Sequence, residues 1–317
     1  MSIGSFLKFV EIQTKVASVI PFTLGTIYAL YRYNSFKFSN FLIMFVSLIT
    51  FDMATTAINN YIDFKKAKKK HGYGYEVHNA MGRGEITEKT GLTIIITLLT
   101  IASVFGIILT FRTSPVVLLI GMICFAVGIF YTFGPIPISR MPLGEAFSGF
   151  FMGFVIMFLS IFINVYDKNI VFLTFNNWIV SLGINTIEVF IIFLLSVPAI
   201  GGIANIMLAN NICDLEDDIV NERFTLVYYI GKKNALKLFA FLYYIGFIDI
   251  FILVIFKVLP LVSLLSLLSF IPVYKHIKLF SANPKKSETF VFAVKNFVLM
   301  SLAQILTLSA ALIINAI

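Results

Sequence analysis

Charged residues are scarce in this chain. Asp, Glu, Lys and Arg make up 13% of its 317 residues, 59% of the residues are hydrophobic, and the mean hydropathy is +0.95. A soluble domain of this size carries about a quarter charged residues. The composition therefore excludes a soluble globular protein, and with it a soluble basic domain that could bind nucleic acid. It indicates a polytopic membrane protein whose main partner is the lipid bilayer, and no obligate protein partner is inferred.

Cysteine and tryptophan are also rare. The two cysteines, Cys124 and Cys213, lie far apart, within or at the end of apolar segments. This spacing suits neither a disulfide framework nor a cysteine-based metal site. The single tryptophan, Trp178, stands beside 35 Phe and 13 Tyr, which is typical of lipid-facing and interfacial composition.

Long hydrophobic runs are abundant. A spanning helix needs about 20 apolar residues, and nine segments are long enough, the seventh and eighth being joined by a tight turn before Pro260. The sequence predicts an all-α membrane protein with nine transmembrane helices, forming one membrane domain over residues 1–317. The predicted spans lie near 12–32, 39–62, 91–111, 115–133, 143–165, 187–211, 236–256, 259–275 and 291–315.

The Lys and Arg residues are distributed unequally between the two sides of these spans. Of the 24, nineteen fall on one side, and the other side holds Arg32, Lys37, Arg112, Lys168 and Lys257. Because cytoplasmic loops carry the excess of Lys and Arg, this bias predicts a cytoplasmic N-terminus and an external C-terminus. Many of these charges also suit anionic lipid headgroups, so a loop lysine is not by itself a substrate ligand.

Two apolar runs on the predicted cytoplasmic side end in acidic clusters that begin with asparagines. The first is Asn59-Asn60-Tyr61-Ile62-Asp63, and the second is Asn210-Asn211-Ile212-Cys213-Asp214-Leu215-Glu216-Asp217-Asp218. Carboxylates this close to hydrocarbon are costly. If the helices continue through the clusters, residues four positions apart share a face. That places Asn59 beside Asp63, forms a stripe of Asp214, Asp218 and Glu222, and leaves Glu216 and Asp217 towards solvent.

Oxygen ligands of this kind suit Mg²⁺, which combines a few carboxylates with phosphate oxygens. The predicted metal ligands are Asn59, Asp63, Asp214 and Asp218. Two clusters on one membrane face could then gather around a pyrophosphate group and stabilise its departure. Two structural alternatives remain open. The clusters could be ordinary interfacial helix ends, where Asp and Asn are common, and Asn210 and Asn211 could form inter-helix hydrogen bonds.

The two clusters resemble the paired motifs of the UbiA superfamily of intramembrane aromatic prenyltransferases. In its 1,4-dihydroxy-2-naphthoate branch, the second motif is followed by Thr-Leu and a glycine, as in Thr225-Leu226 and Gly231 here. A third segment is similar to that branch's Tyr-Thr-x-Gly-Pro and Leu-Gly-Glu signature. It runs Tyr131-Thr132-Phe133-Gly134-Pro135-Ile136-Pro137-Ile138-Ser139 and continues in Leu143-Gly144-Glu145.

Three residues depart from the family pattern. Asn60 replaces the usual Asp, Ala67 stands where many members carry a further Asp, and Cys213 stands where naphthoate enzymes often carry Arg. The first cluster therefore has one carboxylate, Asp63. These departures concern the acceptor and the prenyl chain rather than the class of reaction.

The resemblance implies helices around a central cavity with a cytoplasmic-side cap, and active-site loops at about 63–90, 134–142, 213–235 and 276–290. It gives catalytic roles to Asp63, Asp214, Asp218 and Tyr131, whose ring would face an allylic cation unless Tyr131 is only an interfacial aromatic. The substrate-binding candidates are Asn59, Arg83, Arg223, Asn211, Arg140 and Lys15. Each basic candidate could instead be a topology charge.

The activity that this resemblance implies is Mg²⁺-dependent transfer of a polyprenyl group from polyprenyl diphosphate to 1,4-dihydroxy-2-naphthoate. Decarboxylation accompanies the transfer, and the product is demethylmenaquinone, in a bacterial cell membrane. Family members with other acceptors, namely 4-hydroxybenzoate, haem or a lipid glycerol phosphate, form the close alternative. An ion-coupled secondary transporter is the alternative from another class, but it would place acidic residues near the midplane and show an inverted repeat.

Overall fold

The computed structural model describes residues 2–66, 80–134 and 137–316. Ala67, the rest of the first predicted loop up to residue 79, and Pro135 with Ile136 lie outside the described residues. The helices are α1 (Ile3–Phe9), α2 (Val16–Tyr33), α3 (Phe38–Lys66), α4 (Glu88–Arg112), α5 (Pro115–Thr132), α6 (Gly144–Ser148), α7 (Ile156–Val165), α8 (Thr186–Cys213), α9 (Leu215–Val220), α10 (Leu226–Ile255), α11 (Phe270–Ala282) and α12 (Val291–Ala316).

Three further elements complete the described chain. A π-helical segment, Gly149–Val155, joins α6 to α7, and a 3₁₀ helix, Leu261–Ser269, leads into α11. Strands β1 (Val171–Asn176) and β2 (Ile179–Ile184) pair antiparallel between α7 and α8. The all-α prediction omitted this hairpin, although its alternating and β-branched sequence is typical of strands.

The prediction of a polytopic helical membrane protein is confirmed. Eight helical rods in the described residues are long and apolar enough to cross a membrane, and they coincide with the second to ninth predicted spans. The first predicted span is shorter than expected. Glu11 has a positive φ, a 3₁₀ turn follows over Ile12–Lys15, and α2 begins only at Val16. The predicted number of nine is therefore approximate.

The chain divides into two compact units. The first comprises Met1–Val19 and Leu42–Pro137, and the second comprises Ile20–Phe41 and Ile138–Ile317. The first acidic cluster belongs to the first unit, and the second cluster belongs to the second unit.

In the first unit, α1 packs against the part of α3 that carries the first cluster. Phe9 is fully buried with Ala57, Ile58 and Met81. The side chain of Asn60 faces this core and donates to the carbonyl of Phe9 at 2.9 Å. A hydrogen bond to an otherwise unpaired buried carbonyl fixes α1 on α3, because leaving such a group unpaired is costly.

In the second unit, α8 is the most enclosed helix together with the α6–α7 rod. Half of the most apolar stretch of α8 is buried, against 17% for α3. Close approach is possible because the facing residues are glycines. A Cβ atom at Gly153 would lie 2.7 Å from the backbone nitrogen of Ile200, and one at Gly149 would lie 2.8 Å from the Ile200 carbonyl oxygen. Small residues at such contacts let membrane helices approach closely.

Helix α10 begins ten residues before the predicted seventh span. Its first turns are separated from the rest by Gly231, whose φ of 75° is not helical. Glycine adopts this conformation without the steric penalty of a side chain. The chain therefore kinks here, and the short first segment of α10, residues 226–230, is separated from the long apolar part that the sequence pattern identified.

The contact at Gly153 leads to a prediction about stability. We expect Gly153→Ala to lower the free energy of unfolding by about 1–3 kcal/mol, because the added methyl group overpacks the contact with Ile200. The measurement is thermal unfolding in detergent. Gly121→Ala is the matched control, because a Cβ atom at Gly121 meets no atom within 4 Å. A melting temperature for Gly153→Ala equal to that of the control would contradict the packing argument.

Candidate functional site

The first cluster has the helical geometry that the sequence predicted. Helix α3 continues through Lys66, so Asn59 and Asp63 lie one turn apart on the same face, and both are half-buried. The hydroxyl of Thr132 donates to Oδ1 of Asn59 at 3.4 Å. The last turn of α5, which carries Tyr131, therefore lies beside Asn59. Asn60 faces the protein core instead of this polar face.

The second cluster lies at a break between two helices. Helix α8 ends at Cys213 and α9 begins at Leu215, with Asp214 between them. The amide of Asp218 donates to the carbonyl of Asp214 at 2.8 Å, so these two carboxylates remain one turn apart. Helix α9 then ends at Val220, and Glu222 has a positive φ of 56°. The predicted stripe is therefore wrong beyond Asp218, because the short helix stops before Glu222.

Glu216 and Asp217 are exposed, as predicted. Asp218 differs from both because it is buried, with only 4% of the residue exposed. Its Oδ1 lies 3.4 Å from Nε of Arg223, and its Oδ2 is buried without a hydrogen-bond partner among the described residues. Burial raises the pKa of Asp218 to about 6, and the charge of Arg223 opposes this shift.

Asp214 forms an ion pair with Lys286, which lies between α11 and α12. Lys286 was not among the predicted site residues, since in the sequence it counts only as one of the loop lysines. The two residues are 72 positions apart in the chain, so no local sequence pattern indicates that they are in contact. The two predicted metal ligands of the second cluster therefore each have a basic partner, Lys286 for Asp214 and Arg223 for Asp218.

Asn211 connects the second cluster to the start of α6. Its side-chain nitrogen donates to Oε1 of Glu145 at 2.8 Å, and both residues are buried. The other acceptor atoms, Oε2 of Glu145 and Oδ1 of Asn211, have no hydrogen-bond partner among the described residues. Glu145 was noticed in a motif but was not predicted as a site residue. Buried polar atoms usually have a hydrogen-bond partner, and these two are among several in the described residues that have none. They are candidate ligand contacts because they adjoin the second acidic cluster.

The other basic candidates have different environments. Arg83 lies 3.7 Å from Glu85 in the first unit and is accessible. Arg140 ends the 3₁₀ turn Ile138–Arg140 and is half-buried in the second unit. Both side chains could reach an anionic ligand from these positions.

Lys15, which the sequence analysis names as a substrate-binding candidate, lies in a buried polar network. Only 4% of its side chain is exposed, and Nζ lies 2.6 Å from Oδ1 of Asp52 and 2.7 Å from the hydroxyl of Thr56. Ser18 donates to the other oxygen of Asp52 at 2.5 Å. This network binds α2 to α3 and neutralises both charges within the apolar region. Asp52 was missed, although a single carboxylate inside a predicted span was a sufficient signal.

The candidate ligands suit Mg²⁺, which keeps water or phosphate oxygens among its ligands. They suit a metal ion whose ligands all come from the protein less well. Among the described residues, no group of three or more His, Cys, Asp or Glu is arranged to hold a metal. Asp214 and Asp218 offer two carboxylates, one with an unpartnered buried oxygen, and Asn59 with Asp63 offers an amide and a carboxylate. Mg²⁺ accepts such small sets of oxygen ligands because it keeps water or phosphate oxygens in its remaining positions.

The network around Lys15 leads to a second prediction. We expect Lys15→Met to lower the free energy of unfolding by about 3–5 kcal/mol, because it leaves Asp52 buried without its cation. Adding Asp52→Asn should restore much of the loss, as thermal unfolding in detergent would show. Lys8→Met is the control, since Lys8 is exposed and lies 3.8 Å from Glu85. Equal stability of Lys15→Met and Lys8→Met would contradict this role.

Comparison with known proteins gives a consistent result. The family model described as the UbiA prenyltransferase family matches residues 18–302. A 1,4-dihydroxy-2-naphthoate octaprenyltransferase of Bacillus subtilis (strain 168) is 32% identical over 255 residues, which cover 80% of this chain and 75% of that protein.

Solved structures share the fold at low sequence identity. A UbiA homologue from Aeropyrum pernix K1 has a TM-score of 0.65 and 16% identity, covering 94% of this chain and 98% of that chain. A UbiA homologue from Archaeoglobus fulgidus, described as bound to DMAPP and Mg²⁺, has a TM-score of 0.60 and 11% identity. The match covers 96% of this chain and 99% of that chain. A digeranylgeranylglyceryl phosphate synthase has a TM-score of 0.60 and 15% identity, covering 96% and 98%.

Proposed function

This chain belongs to the UbiA prenyltransferase family, and from that premise we propose which substrates it joins. We infer that it transfers a polyprenyl group from polyprenyl diphosphate to 1,4-dihydroxy-2-naphthoate. The acceptor loses its carboxyl group in the reaction, and because no electrons are removed from its hydroquinone ring, the immediate product is the quinol form of demethylmenaquinone, an intermediate of menaquinone biosynthesis. The similarity to the Bacillus subtilis octaprenyltransferase supports this acceptor.

The observation that carries the proposal is the state of Asp218. A buried carboxylate with an unpartnered oxygen beside Arg223 is costly unless a ligand completes its contacts. A cation accompanied by an anionic group fits this position, because the carboxylate binds the cation and the guanidinium binds the anion. A prenyl diphosphate with Mg²⁺ has this combination of charges.

We assign Mg²⁺ binding to Asp214 and Asp218 in the second unit and to Asn59 and Asp63 in the first. When bound, Mg²⁺ supplies positive charge that stabilises the departing diphosphate. The protein contributes its own donors for the diphosphate oxygens. Arg223 is the first of these, and Arg83 and Arg140 are further candidates, since a guanidinium group suits bidentate contacts with phosphate.

In the proposed reaction the bond between the first prenyl carbon and the diphosphate oxygen breaks, and its electron pair leaves with the diphosphate. The electron-rich ring carbon that bears the carboxylate then forms the new bond to the allylic carbon. The carboxyl group departs as carbon dioxide, and its bonding electrons return to the ring. Tyr131, in the last turn of α5, would stabilise the allylic cation with its ring face.

The acceptor hydroxyl groups would be bound by the pair Glu145 and Asn211. Oε2 of Glu145 and Oδ1 of Asn211 are hydrogen-bond acceptors without partners among the described residues. A dihydroxynaphthoate offers hydroxyl donors that match these two acceptors. Because Asn211 already donates to Glu145, the orientation of the carboxylate is fixed before the substrate binds.

The orientation in the membrane is part of the same proposal. The chain is an integral membrane protein, and the distribution of Lys and Arg supports a cytoplasmic N-terminus with both acidic clusters on the cytoplasmic side. Water-soluble acceptor and the diphosphate head group would then enter from the cytoplasm, while the prenyl tail lies in lipid. The loops near 213–235 and 276–290 would border the cytoplasmic entrance.

The direct test is an assay of the purified protein with Mg²⁺, a pool of prenyl diphosphates and an acceptor panel. We expect pyrophosphate release and a prenylated, decarboxylated product with 1,4-dihydroxy-2-naphthoate, identified by mass spectrometry. A product only with 4-hydroxybenzoate, haem or a glycerol phosphate lipid would contradict the acceptor but retain prenyl transfer. Absence of pyrophosphate release with every acceptor would contradict the activity.

The same assay tests the metal ligands. We expect Asp63→Asn, Asp214→Asn and Asp218→Asn each to lower turnover about 100-fold or more, because each removes charge that the reaction needs. Asp217→Asn is the matched control, since Asp217 is exposed in the same short helix and should stay within about twofold of wild type. Undiminished turnover of Asp214→Asn would contradict the site.

Lys286 leads to a separate prediction about Mg²⁺. Its ammonium group contacts Oδ2 of Asp214, so a metal ion that binds this carboxylate competes with the lysine. Both groups are partly exposed, and such a pair is worth up to about 1 kcal/mol. We therefore expect Lys286→Met to lower the Mg²⁺ concentration for half-maximal activity by roughly two- to fivefold.

The neighbouring Lys285→Met serves as the control, because Lys285 pairs with Glu288 at 3.1 Å and does not contact the cluster. Mg²⁺ titrations of the two variants should differ although both lose one positive charge from the same loop. Equal Mg²⁺ dependence in Lys286→Met and Lys285→Met would show that only the loop charge matters.

A further inference from the structure

The β-hairpin between α7 and α8 has no role in the proposed reaction. It lies at the beginning of α8, whereas the second acidic cluster lies at the end of the same helix. Its two-residue turn is Asn177–Trp178, in which φ is 45° and 67°. Two positive values are typical of the type I′ turn that closes tight hairpins. A bulky residue rarely adopts a positive φ, so Trp178 stands at the tip despite a backbone penalty.

The strand pairing separates the side chains into two faces. In a hairpin, directly opposite residues lie on the same face, and successive residues alternate. One set of cross-strand pairs is entirely apolar, and we call it the apolar face. It comprises Val171 opposite Ile184, Leu173 opposite Leu182, and Phe175 opposite Val180.

The opposite face carries all the polar side chains of the two strands. Thr174 pairs with Ser181, and Asn176 pairs with Ile179. Phe172 pairs with Gly183, and its ring lies where a Cβ atom of residue 183 would otherwise stand. The ring therefore covers the glycine backbone. The hairpin is amphipathic, with one continuous apolar face and one mixed face, the polar face, on which its hydroxyl and amide groups lie beside Phe172 and Ile179.

The apolar face is not covered by other described parts of the chain. Phe175, Val180, Leu182 and Ile184 are each at least half exposed, and only Val171 at the base of the hairpin is buried. Residues 169–185 contain no charged side chain that could hold the segment in water. An exposed apolar surface of this kind indicates an interaction site.

The position of the hairpin along the chain identifies the partner. Both of its ends continue within a few residues into membrane spans, Gly144–Lys168 and Thr186–Cys213. The first turns of α8 also expose Ile187 and Phe190, which makes the apolar surface continuous from the helix to the hairpin. Lipid contacts the exposed apolar side chains of a spanning helix, so the same lipid is the nearest occupant for the apolar face.

Charged groups mark the polar boundary at this end of the second unit. Arg32 pairs with Glu188 at 2.8 Å, and Lys37 pairs with Asp167 at 3.0 Å. These pairs occupy the ends of the same helices from which the hairpin emerges. The hairpin therefore lies at the depth where aromatic side chains are enriched in membrane proteins, between the acyl chains and water.

We propose that this hairpin lies in the plane of the membrane interface, with its apolar face on the acyl chains and its polar face towards water. Trp178 sits at headgroup depth and fixes the end of α8 that is opposite to the second acidic cluster. The partner is the lipid surface itself, as for interfacial amphipathic segments generally. A second copy of the chain is the competing occupant and forms one outcome of the test.

Trp178 is the only tryptophan in the chain, so its fluorescence reports on this one position. The protein is placed in lipid nanodiscs, where both membrane faces are accessible, and excited at a wavelength that tyrosine does not absorb. We expect a blue-shifted emission that lipids brominated near the headgroup end of the acyl chain quench more strongly than aqueous iodide does. Stronger quenching by iodide would overturn the proposal, and protection from both quenchers would show a protein contact instead.

A matched pair of variants tests the orientation of the two faces. Trp178→Phe removes the signal, and a tryptophan is then introduced by Val180→Trp on the apolar face or by Thr174→Trp on the polar face. We expect brominated lipid to quench the first variant at least twice as strongly as the second, and iodide to show the reverse order. Equal quenching of both positions would overturn the in-plane orientation, whatever the result at Trp178.

Discussion

A carboxylate beside hydrocarbon is costly without a partner, and this constraint shapes the polar sites described above. Asp52 meets it with Lys15, Glu188 with Arg32, and Asp214 with Lys286. These pairs differ in exposure, and the difference separates their roles. The Lys15 pair is closed by hydroxyl groups and almost fully buried, so it stabilises the fold. The pair at Asp214 remains partly exposed at a helix end, and there we propose that a metal ion replaces the lysine.

Asp218 meets the same constraint only in part. Its partner Arg223 approaches one oxygen only, and the other oxygen is buried without a hydrogen bond in the described chain. Together with Glu145 and Asn211, it forms a set of polar atoms whose contacts are incomplete without a ligand. A protein that retains such atoms sacrifices stability at that position, which is typical of functional sites. In the proposed function, this region binds the charged part of the substrate.

Helix α8 connects the two ends of the second unit. Its enclosed middle is held by glycine contacts at Gly149 and Gly153, its last turn leads into the carboxylates, and its first turn leads back to the amphipathic hairpin. A helix that is packed closely in its middle has little freedom to shift. The carboxylate positions at Asp214 and Asp218 therefore depend on packing far along the helix as well as on their own neighbours.

The sequence by itself determined the membrane class, eight of the spans, the family and the spacing of Asn59 to Asp63 and of Asp214 to Asp218. These features are local, since they depend on hydropathy, motif spacing and helical periodicity. Only the tertiary structure decided that Lys15 binds Asp52, that Lys286 reaches Asp214, that Asn211 holds Glu145, and that Glu222 leaves the stripe. Three of these are contacts between residues distant in the chain, and the fourth is a helix end set by surrounding packing. Periodicity carries no information about which partner a side chain meets after folding, and that is the physical reason for the division.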